Sequence, residues 1–449
     1  AEDAPVDTTE FSDAQLDAYY TERRQAREAA QQATGAEAAL AVPLALNVAS
    51  LSVSDGRVES LDTVTGTTSI IEITALDANG LNLEGKPIPL QLALNIPGEP
   101  DLGVSLEGDI AISQSADSVS FNDLDIEVTG ATAEPLGLLV GGTLDLSRQV
   151  VHTTISLRMG EVNGGGKLRY ASFESPQIDT QLNLNLFDPL LFALAGPEAA
   201  SDAEAATGDE PLPLDTLRAI DTRAQLKIDK ARFDAHTIQN LAVKLRVVDG
   251  LAAFHEISGE IHGGTINASA KLNGRHSTAR LTTRGKVENM DLDRAMTAAE
   301  SPGLISGAAT LDWQLSSEGK TMNELIATLR GPLQLDTADV LLKDTSIENL
   351  LCRAVALTNQ EALTATFSAD TQFTHLSASV QINDGKARLT PLRAELAHVK
   401  LTGSGDFDLV SQDFKARFNG RLSPGLQELD NACRVSKRLT TVDFPVECK

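Results

Sequence analysis

Apolar and polar residues alternate with a period of two through most of this chain of 449 residues, and this alternation restricts the folds that it can adopt. In residues 90–96, Leu and Ile alternate with Gln, Ala and Asn, and in residues 182–186 Leu alternates with Asn. Successive side chains of a strand point to opposite faces of a sheet, so alternation over about four to eight residues predicts a strand with one buried face. Residues 239–275 continue the pattern over several strands. We therefore expect a mainly β protein.

Asn-Gly and Asp-Gly pairs stand between many of the predicted strands. Such pairs tolerate the positive φ of tight hairpin turns, so they predict antiparallel hairpins between strands that follow one another. The pairs are Asp55-Gly56, Asn79-Gly80, Asn163-Gly164, Asp249-Gly250, Asn273-Gly274, Asp384-Gly385 and Asn419-Gly420. Stacked hairpins give an extended sheet rather than a closed globule.

A few segments have the signals of helices or of a linker. Residues 8–34 contain no Gly or Pro and have a thin apolar stripe, so we expect a helix that lies exposed or docks weakly. Short helices are expected at 290–300, 321–331 and 344–357, where capping residues or an apolar face recur. Residues 197–213 carry five carboxylates and no basic residue, which is typical of a flexible linker. The expected parts are an N-terminal helix (1–37), a first β segment (38–196), the acidic linker (197–213) and a C-terminal β domain with short helices (214–449).

The charge and the composition exclude several classes of function. The formal net charge is −26, which repels nucleic acid, so we expect no nucleic-acid partner. The longest apolar runs, at 135–142 and 189–196, are far shorter than the ~20 residues that cross a bilayer. Aromatic residues make up 4% of the chain, so its apolar surfaces are expected to consist of Leu, Ile, Val and Ala.

No arrangement of residues in the sequence is typical of a catalytic or metal site. His255 and His262 are seven positions apart in a strand pattern, whereas the helical zinc motif needs the His-Glu-x-x-His spacing. We interpret them as surface histidines. Residues 159–167 lack the Gly-Lys-Ser/Thr ending of a nucleotide-binding loop. We expect no enzyme activity, no metal and no cofactor.

The three cysteines allow more than one disulfide. Cys433 and Cys448 are fifteen residues apart, and a hairpin could bring them together; closing so small a loop would stabilise the fold by ~3 kcal/mol. The rival pairing joins Cys352 to Cys433 or to Cys448, and three reduced thiols are the other alternative. We expect the Cys433–Cys448 pair.

Residues 212–275 resemble the C-terminal domain of the AsmA family of Gram-negative bacteria. In that family a Leu-Pro-Leu-x-x-Leu-Arg motif is followed by paired strands, an Asp-Gly turn and a Gly-Gly bend, as in this sequence. The helix that contains Cys352 and the tail that ends in Cys448 are similar to the closing elements of the family. The resemblance extends over most of residues 38–449 and includes no catalytic signature.

The resemblance implies a fold, a location and a function. The implied fold is an elongated, twisted antiparallel β-sheet curved into an open groove, with a few short helices. The implied protein is periplasmic and is anchored to the inner membrane by an N-terminal helix that this sequence lacks. Its expected function is the binding and conduction of phospholipid between the inner and outer membranes. The alternative is a structural scaffold for outer-membrane protein assembly, which contacts other envelope proteins and carries no lipid.

An aliphatic groove suits the first of these functions. Burying an acyl chain releases ~0.8 kcal/mol per CH₂, so two sixteen-carbon chains that leave a bilayer for water face a cost on the order of 25 kcal/mol. We expect the inward row to include the alternate residues of 241–247, with Lys244 and Arg246 facing outward. The candidate lipid-binding residues are Leu182, Leu184, Leu186, Leu226, Ile228, Leu241, Val243, Leu245, Val247, Phe414 and Phe418. The alternative is that these residues fill a closed sandwich or barrel core.

Overall fold

A computed structural model describes residue 11 and residues 13–35, 47–61, 68–98, 100–172, 176–191, 209–411, 413–441 and 443–448. Most of the predicted acidic linker, residues 197–208, lies outside the described residues. The chain divides into two compact units. Unit one contains Ala1–Thr207, Pro213–Phe233 and Asn240–His255, and unit two contains Gly208–Leu212, Asp234–Gln239 and Glu256–Lys449.

Unit one is built on an open sheet. Its strands are β1 (Asn47–Leu61), β2 (Thr68–Asn82), β3 (Ile88–Ile96), β4 (Leu102–Ile112), β5 (Ser118–Thr129), β6 (Leu136–Asp145), β7 (Val150–Met159), β8 (Val162–Ala171), β9 (Gln177–Phe187) and β10 (Asp221–Phe233). Its helices are α1 (Asp13–Gly35) and α2 (Leu214–Ala219). The residues of β11 (His236–Val248) and β12 (Leu251–Ile261) are divided between the two units. From β1 to β9 each strand pairs with the next in antiparallel orientation, as the alternation and the hairpin prediction require.

Strand β10 departs from the antiparallel prediction, because it pairs with β9 in parallel orientation. The connection between the two strands, residues 188–220, contains α2 and the whole acidic segment 197–213. Parallel neighbours need a crossover of about a dozen residues or more, and this connection is long enough to provide one. No turn signal in the sequence marked the change of direction.

Four of the seven predicted turn pairs lie inside strands, so the turn prediction is wrong at Asp55-Gly56, Asn79-Gly80, Asn163-Gly164 and Asn419-Gly420. Gly164 shows the reason. A Cβ atom at this position would lie 2.3 Å from Leu184 Cδ2 and 2.6 Å from the Asn183 carbonyl oxygen. The glycine therefore makes room for a neighbouring strand, and the chain reverses earlier, at Gly160.

Helix α1 docks firmly on unit one. Leu16 is 1% exposed and packs with Leu251 and Ala253, and Tyr20 is 2% exposed. The Tyr20 hydroxyl donates a hydrogen bond to Asp179 (3.2 Å). The prediction of an exposed or weakly docked helix is therefore wrong. The apolar stripe of α1 is thin, but polar contacts such as the Tyr20–Asp179 hydrogen bond add to its packing.

Unit two is also built on an open, antiparallel sheet. Its strands are β13 (Gly264–Asn273), β14 (Ala279–Asp291), β15 (Ile305–Gly319), β16 (Gly331–Leu342), β17 (Thr371–Phe373), β18 (His375–Asn383), β19 (Lys386–Glu395), β20 (Val399–Asp408), β21 (Phe414–Leu422) and β22 (Phe444–Cys448). Both β17 and β18 pair with β16, and the other strands pair with their neighbours in sequence. Short 3₁₀ helices lie at Pro424–Glu428, Asn431–Cys433 and Leu439–Thr441. The predicted mainly β fold with a few short helices is confirmed.

The three predicted helices of the second half are present as α3 (Leu292–Ala298), α4 (Met322–Ala327) and α5 (Ile347–Asn359). Each begins after a side chain that accepts hydrogen bonds from backbone amides of the first turn: Asp291, Thr321 and Ser346. The cap predicted at Thr321 is confirmed, and the other two helices lie where they were predicted.

The main hydrophobic core of unit two surrounds a disulfide between Cys352 and Cys433, whose Cα atoms are 5.1 Å apart. Both cysteines are 0% exposed, and Val355, Leu426 and Val399 are among their buried neighbours in the cluster. The expected Cys433–Cys448 pair is therefore wrong, and the rival pairing is present. Sequence proximity was misleading because α5 carries Cys352 to Cys433 over a separation of 81 residues.

Candidate functional site

The candidate site of unit one is a row of aliphatic side chains, interrupted by one glycine, that crosses strands β1 to β10. Residues directly opposite each other on neighbouring strands share a face, so the strand register identifies the row. It consists of Val53, Leu76, Leu92, Leu106, Ile126, Leu138, Leu157, Gly164, Leu184 and Ile228, one from each of the ten strands. We call the face that carries this row the apolar face of unit one.

A second row runs beside the first on the same face. It joins Leu124, Val140, Ile155, Gly166, Leu182 and Leu226 across β5 to β10. A closed sandwich buries the side chains on the inner faces of its sheets, so the exposure of the row distinguishes the two alternatives. Nine members of the first row are half-buried and Ile228 is buried. The described part of unit one is thus a single layer and not a closed sandwich.

The structure brings together four of the predicted lipid-binding residues. Leu182 pairs with Leu226, and Leu184 pairs with Ile228, on the apolar face of unit one. Between them, Asn183 pairs with Lys227 on the opposite face, and both are exposed.

The other predicted residues of unit one occupy separate positions. Leu186 is buried in a small cluster with Met159 and Val162, at the margin of the apolar face. On β11, Leu241 and Val247 are buried, whereas Val243 and Leu245 are half-buried. Their role as lipid contacts stays a prediction.

The opposite face of unit one is polar and carries helix α1. Asp179 receives the Tyr20 hydrogen bond on this face, and Arg23 forms an ion pair with Asp221 at 3.4 Å. Burial, and next the Asp179 carboxylate, raise the pKa of Tyr20 above its ordinary value. Lys244 is exposed as predicted, but Arg246 is only 8% exposed and its guanidinium lies 5.8 Å from the centre of the Tyr20 ring. The prediction that Arg246 faces solvent is wrong because α1 covers it.

Unit two has an apolar row of the same kind. It joins Ile266, Val287, Leu311, Leu335, Ala378, Leu392, Gly403 and Phe418 across eight strands. We call the face that carries this row the apolar face of unit two. The predicted residue Phe418 is half-buried, and its ring lies 2.7 Å from the position that a Cβ of Gly403 would occupy. Phe414 begins β21 opposite Phe407.

One side of the apolar face of unit two is covered. The adjacent row contains Leu376, Ala394 and Leu401, and these residues belong to or pack against the cluster around the disulfide. Helix α5 contributes Cys352 and Val355 to that cover. The filled-core alternative therefore applies to this part of unit two, whereas Leu335, Leu392 and Phe418 lie outside the cluster.

Sequence reasoning missed the pairs in which a large ring lies over a glycine of the next strand. A Cβ at Gly285 would lie 2.4 Å from a ring carbon of Trp313, which pairs with this glycine on the apolar face of unit two. The Trp313 indole donates a hydrogen bond to Thr283 (3.2 Å), so its polar atom is satisfied within the sheet. An aromatic ring over a cross-strand glycine stabilises a sheet. Such a pair can be recognised in a sequence only when the register of the two strands is known.

The predicted surface histidine His262 contacts His236, with 3.0 Å between Nε2 and Nδ1. Burial, and next the proximity of His236, lower the pKa of His262. Among the described residues, no three His, Cys, Asp or Glu side chains converge as metal ligands would.

Comparison with known sequences points to the same family as the motifs of residues 212–275. Residues 192–392 match the model of the AsmA family. The predicted resemblance is confirmed by this match. Protein AsmA of Escherichia coli (strain K12) is 19% identical over 348 residues, which cover 72% of this chain and 56% of that protein. The chain thus spans little more than half the length of this curated relative, and no solved structure matches it with significance.

The region that matches the AsmA model contains β10 to β18 and α2 to α5. It includes the predicted residues on β10 and β11, whereas Leu182, Leu184 and Phe418 lie outside it. Of the helices that the structure describes, none has the length and apolar character needed to cross a membrane.

Proposed function

We propose that this chain is a non-catalytic lipid-binding protein of the Gram-negative envelope, which conducts phospholipid acyl chains along its apolar faces. The observation that carries the proposal is the row of unit one, in which ten successive strands contribute an aliphatic side chain or a glycine and no charged group. No reaction is part of the proposal.

The length of this row suits a hydrocarbon chain. Neighbouring strands are ~4.8 Å apart, so nine strand spacings extend over ~43 Å. Half of the hydrocarbon core of a bilayer, which one acyl tail occupies, is about 15 Å thick. A tail that lies on the row therefore contacts only part of it, and more than one position along the row offers the same contacts.

The energetics favour such a surface. A lipid with two sixteen-carbon tails loses on the order of 25 kcal/mol of burial when it enters water. Aliphatic side chains on one face cover the tails and so keep them out of water. The exposed Asn183 and Lys227 keep the other face solvated. The lipid can then leave a bilayer without exposing its tails.

The location and the partners are also part of the proposal. The AsmA match and the resemblance support a periplasmic protein of the envelope. We propose phospholipid as its ligand, the inner membrane as its point of anchoring and envelope proteins as further partners.

Lipid extraction and native mass spectrometry of the purified chain test the proposal. We expect copurifying phospholipid with the wild-type chain and a measurably smaller amount with the double variant Leu182→Asn/Leu226→Asn, which makes one cross-strand pair of the apolar face polar and so removes one of the positions that a tail can occupy. The control is Asn183→Ser/Lys227→Asn, the adjacent cross-strand pair on the opposite face, which should retain the lipid. Far-UV circular dichroism verifies that both variants fold.

Two outcomes would contradict the proposal. Wild-type chain without phospholipid would favour the scaffold alternative, in which the apolar faces serve assembly only. Equal loss of lipid from both double variants would show that the apolar face does not hold the tails.

A further inference from the structure

Helix α5 has apolar residues on two sides, and only one of these sides is packed by described residues. Its inner side contributes Cys352 and Val355 to the cluster around the disulfide. On its outer side Leu350 is 60% exposed and Leu357 is 78% exposed, and the exposed Ala354 lies between them. Residues at positions i, i+4 and i+7 share one face of a helix, so these three form a continuous stripe. We call it the outer stripe of α5.

A basic segment follows the second cysteine of the disulfide. Residues 431–441 contain three basic residues and no acidic residue, although the whole chain has a net charge of −26. The three are Arg434, Lys437 and Arg438, and all are exposed. We call residues 434–438 the basic segment. Arg353, which precedes Ala354 of the outer stripe, is a further exposed cation.

The disulfide and two hydrogen bonds hold the basic segment next to α5. Cys352 of α5 is bonded to Cys433, which directly precedes Arg434. The Asn359 amide at the end of α5 donates hydrogen bonds to the carbonyl oxygens of Ala432 and Arg434, at 2.9 and 3.1 Å. The outer stripe and the basic segment therefore lie close together in unit two.

Part of the positive charge of this surface is not compensated by ion pairs. Glu361 forms an ion pair with Arg434, and Asp430 accepts hydrogen bonds from the backbone amides of residues 364, 365 and 432. Glu348 lies in the first turn of α5, at the other end of the helix. Three cations form no ion pair within the part of the chain that the structure describes: Arg353, Lys437 and Arg438.

We propose that the outer stripe and the basic segment dock unit two on an anionic phospholipid surface. Exposed leucines beside exposed cations are typical of helices that lie in a membrane interface, where the leucines enter the boundary of the acyl region and the cations contact anionic headgroups. The aliphatic part of Arg353 can lie along the stripe while its guanidinium reaches a headgroup.

The small area of the stripe argues against a protein partner. A standard protein interface buries ~800 Å² on each partner, which is far more than two leucines and an alanine supply. Reversible binding to a membrane needs only a few apolar side chains when basic residues support them. The inference goes beyond the proposed function, because the outer stripe is separate from the apolar faces that would carry lipid.

Vesicle sedimentation of the full chain at low ionic strength tests the proposal. The probes are vesicles of phosphatidylcholine alone and vesicles of an equal mixture of phosphatidylglycerol and phosphatidylcholine. We expect the wild-type chain to bind the mixed vesicles, and to bind phosphatidylcholine vesicles several-fold more weakly. High salt should abolish this difference, because it screens exposed charges.

Two double variants remove the two parts of the surface. Leu350→Ser/Leu357→Ser makes the outer stripe polar, and Lys437→Gln/Arg438→Gln removes two charges from the basic segment. Each should weaken binding to the mixed vesicles about tenfold or more. The first loses the burial of two leucines, and the second loses the attraction of two cations to anionic lipid.

The matched controls change the same kinds of residue elsewhere in unit two. Leu304→Ser/Val410→Ser replaces two other exposed aliphatic residues, and Lys386→Gln/Lys415→Gln removes two exposed lysines of β19 and β21. Both controls should bind the mixed vesicles as the wild-type chain does. Far-UV circular dichroism verifies that all four variants fold.

Three outcomes would overturn the inference. Equal weakening by the variants and their matched controls would show that binding is not confined to this surface. Unchanged binding of Leu350→Ser/Leu357→Ser would remove the outer stripe from the contact. A wild-type chain that binds neither kind of vesicle, but forms a dimer that Leu350→Ser/Leu357→Ser abolishes, would assign the surface to a second copy of the chain.

The inference and the proposed function can fail separately. The variant Leu182→Asn/Leu226→Asn changes the apolar face of unit one and should bind the mixed vesicles as the wild-type chain does. Conversely, Leu350→Ser/Leu357→Ser should retain copurifying phospholipid while it loses vesicle binding.

Discussion

Loss of the Cys352–Cys433 disulfide should destabilise unit two strongly. The bond joins residues separated by 81 positions. In the chain-entropy description, closing a loop of this length raises the free energy of the unfolded chain by about 4.5 kcal/mol at room temperature, and so stabilises the folded chain by the same amount. Both sulfur atoms lie in the buried cluster between α5 and the 3₁₀ helix at Asn431–Cys433. Without the bond, that junction depends on contacts such as those of the Asn359 amide with the Ala432 and Arg434 carbonyl oxygens, at 2.9 and 3.1 Å.

Trp313 provides the assay, because it is the single tryptophan of the chain and lies on β15 in unit two. Urea unfolding followed by its fluorescence should show a lower midpoint for Cys352→Ala and for Cys433→Ala. With about 1–3 kcal/mol of stability lost per molar urea, the expected decrease is about 1.5 to 4.5 M. Addition of a reductant to the wild-type chain should have a similar effect.

Cys448→Ala is the matched control, since Cys448 is not a partner in the bond. Its midpoint should equal that of the wild-type chain, and it should stay sensitive to the reductant. The reasoning is refuted if Cys448→Ala and Cys433→Ala lower the midpoint equally while Cys352→Ala leaves it unchanged, since that result is the signature of a Cys433–Cys448 bond.

Three further predictions concern single sites. Backbone amides of Ala432, Ala365 and Thr364 lower the pKa of Asp430 to about 2. Unit two should therefore lose stability as the pH falls from about 4 to about 2. Unfolding followed by Trp313 fluorescence should show this loss, and Asp430→Asn should remove it. Leu16→Ala should weaken the docking of α1 by about 2–5 kcal/mol, and Tyr20→Phe by about 1 kcal/mol. Amide hydrogen exchange in α1 should become faster in both variants. Unchanged exchange in Leu16→Ala would contradict the docked helix. Gly164→Ala should lower the free energy of unfolding of unit one by about 1–3 kcal/mol, measured by denaturant unfolding followed by circular dichroism. Gly137→Ala is the control and should cost little, because its new Cβ would lie 3.7 Å from the nearest atom. Equal costs would argue against the close contact with Leu184.

Much of the fold could be predicted because its signals are local. Alternation along residues 182–186 identifies β9 and the face of Leu184, and Thr321 with Glu324 identifies the start of α4. These patterns extend over a few residues and need no knowledge of the rest of the chain.

The errors arose where a distant part of the chain decides the structure. Asn163-Gly164 has the sequence of a turn, but Leu184 of the next strand requires a glycine inside β8. Arg246 has the alternation of a solvated residue, but Tyr20 of α1 covers it from more than two hundred positions away. Cys433 pairs with Cys352 and not with its nearer neighbour for the same reason. The sequence indicated the aliphatic candidates Leu182 and Leu226, whereas the continuity of the apolar rows from strand to strand depends on the register, which only the structure supplies.

The row that crosses the ten strands of unit one contains no hydrogen-bond donor or acceptor in its side chains. A hydrocarbon chain that shifts from one strand to the next exchanges dispersion contacts with one aliphatic group for similar contacts with another. No bond of defined direction has to break during this step, so the barrier to sliding is low. If the proposed lipid function is correct, the surface would hold a tail against water and still let it move from strand to strand.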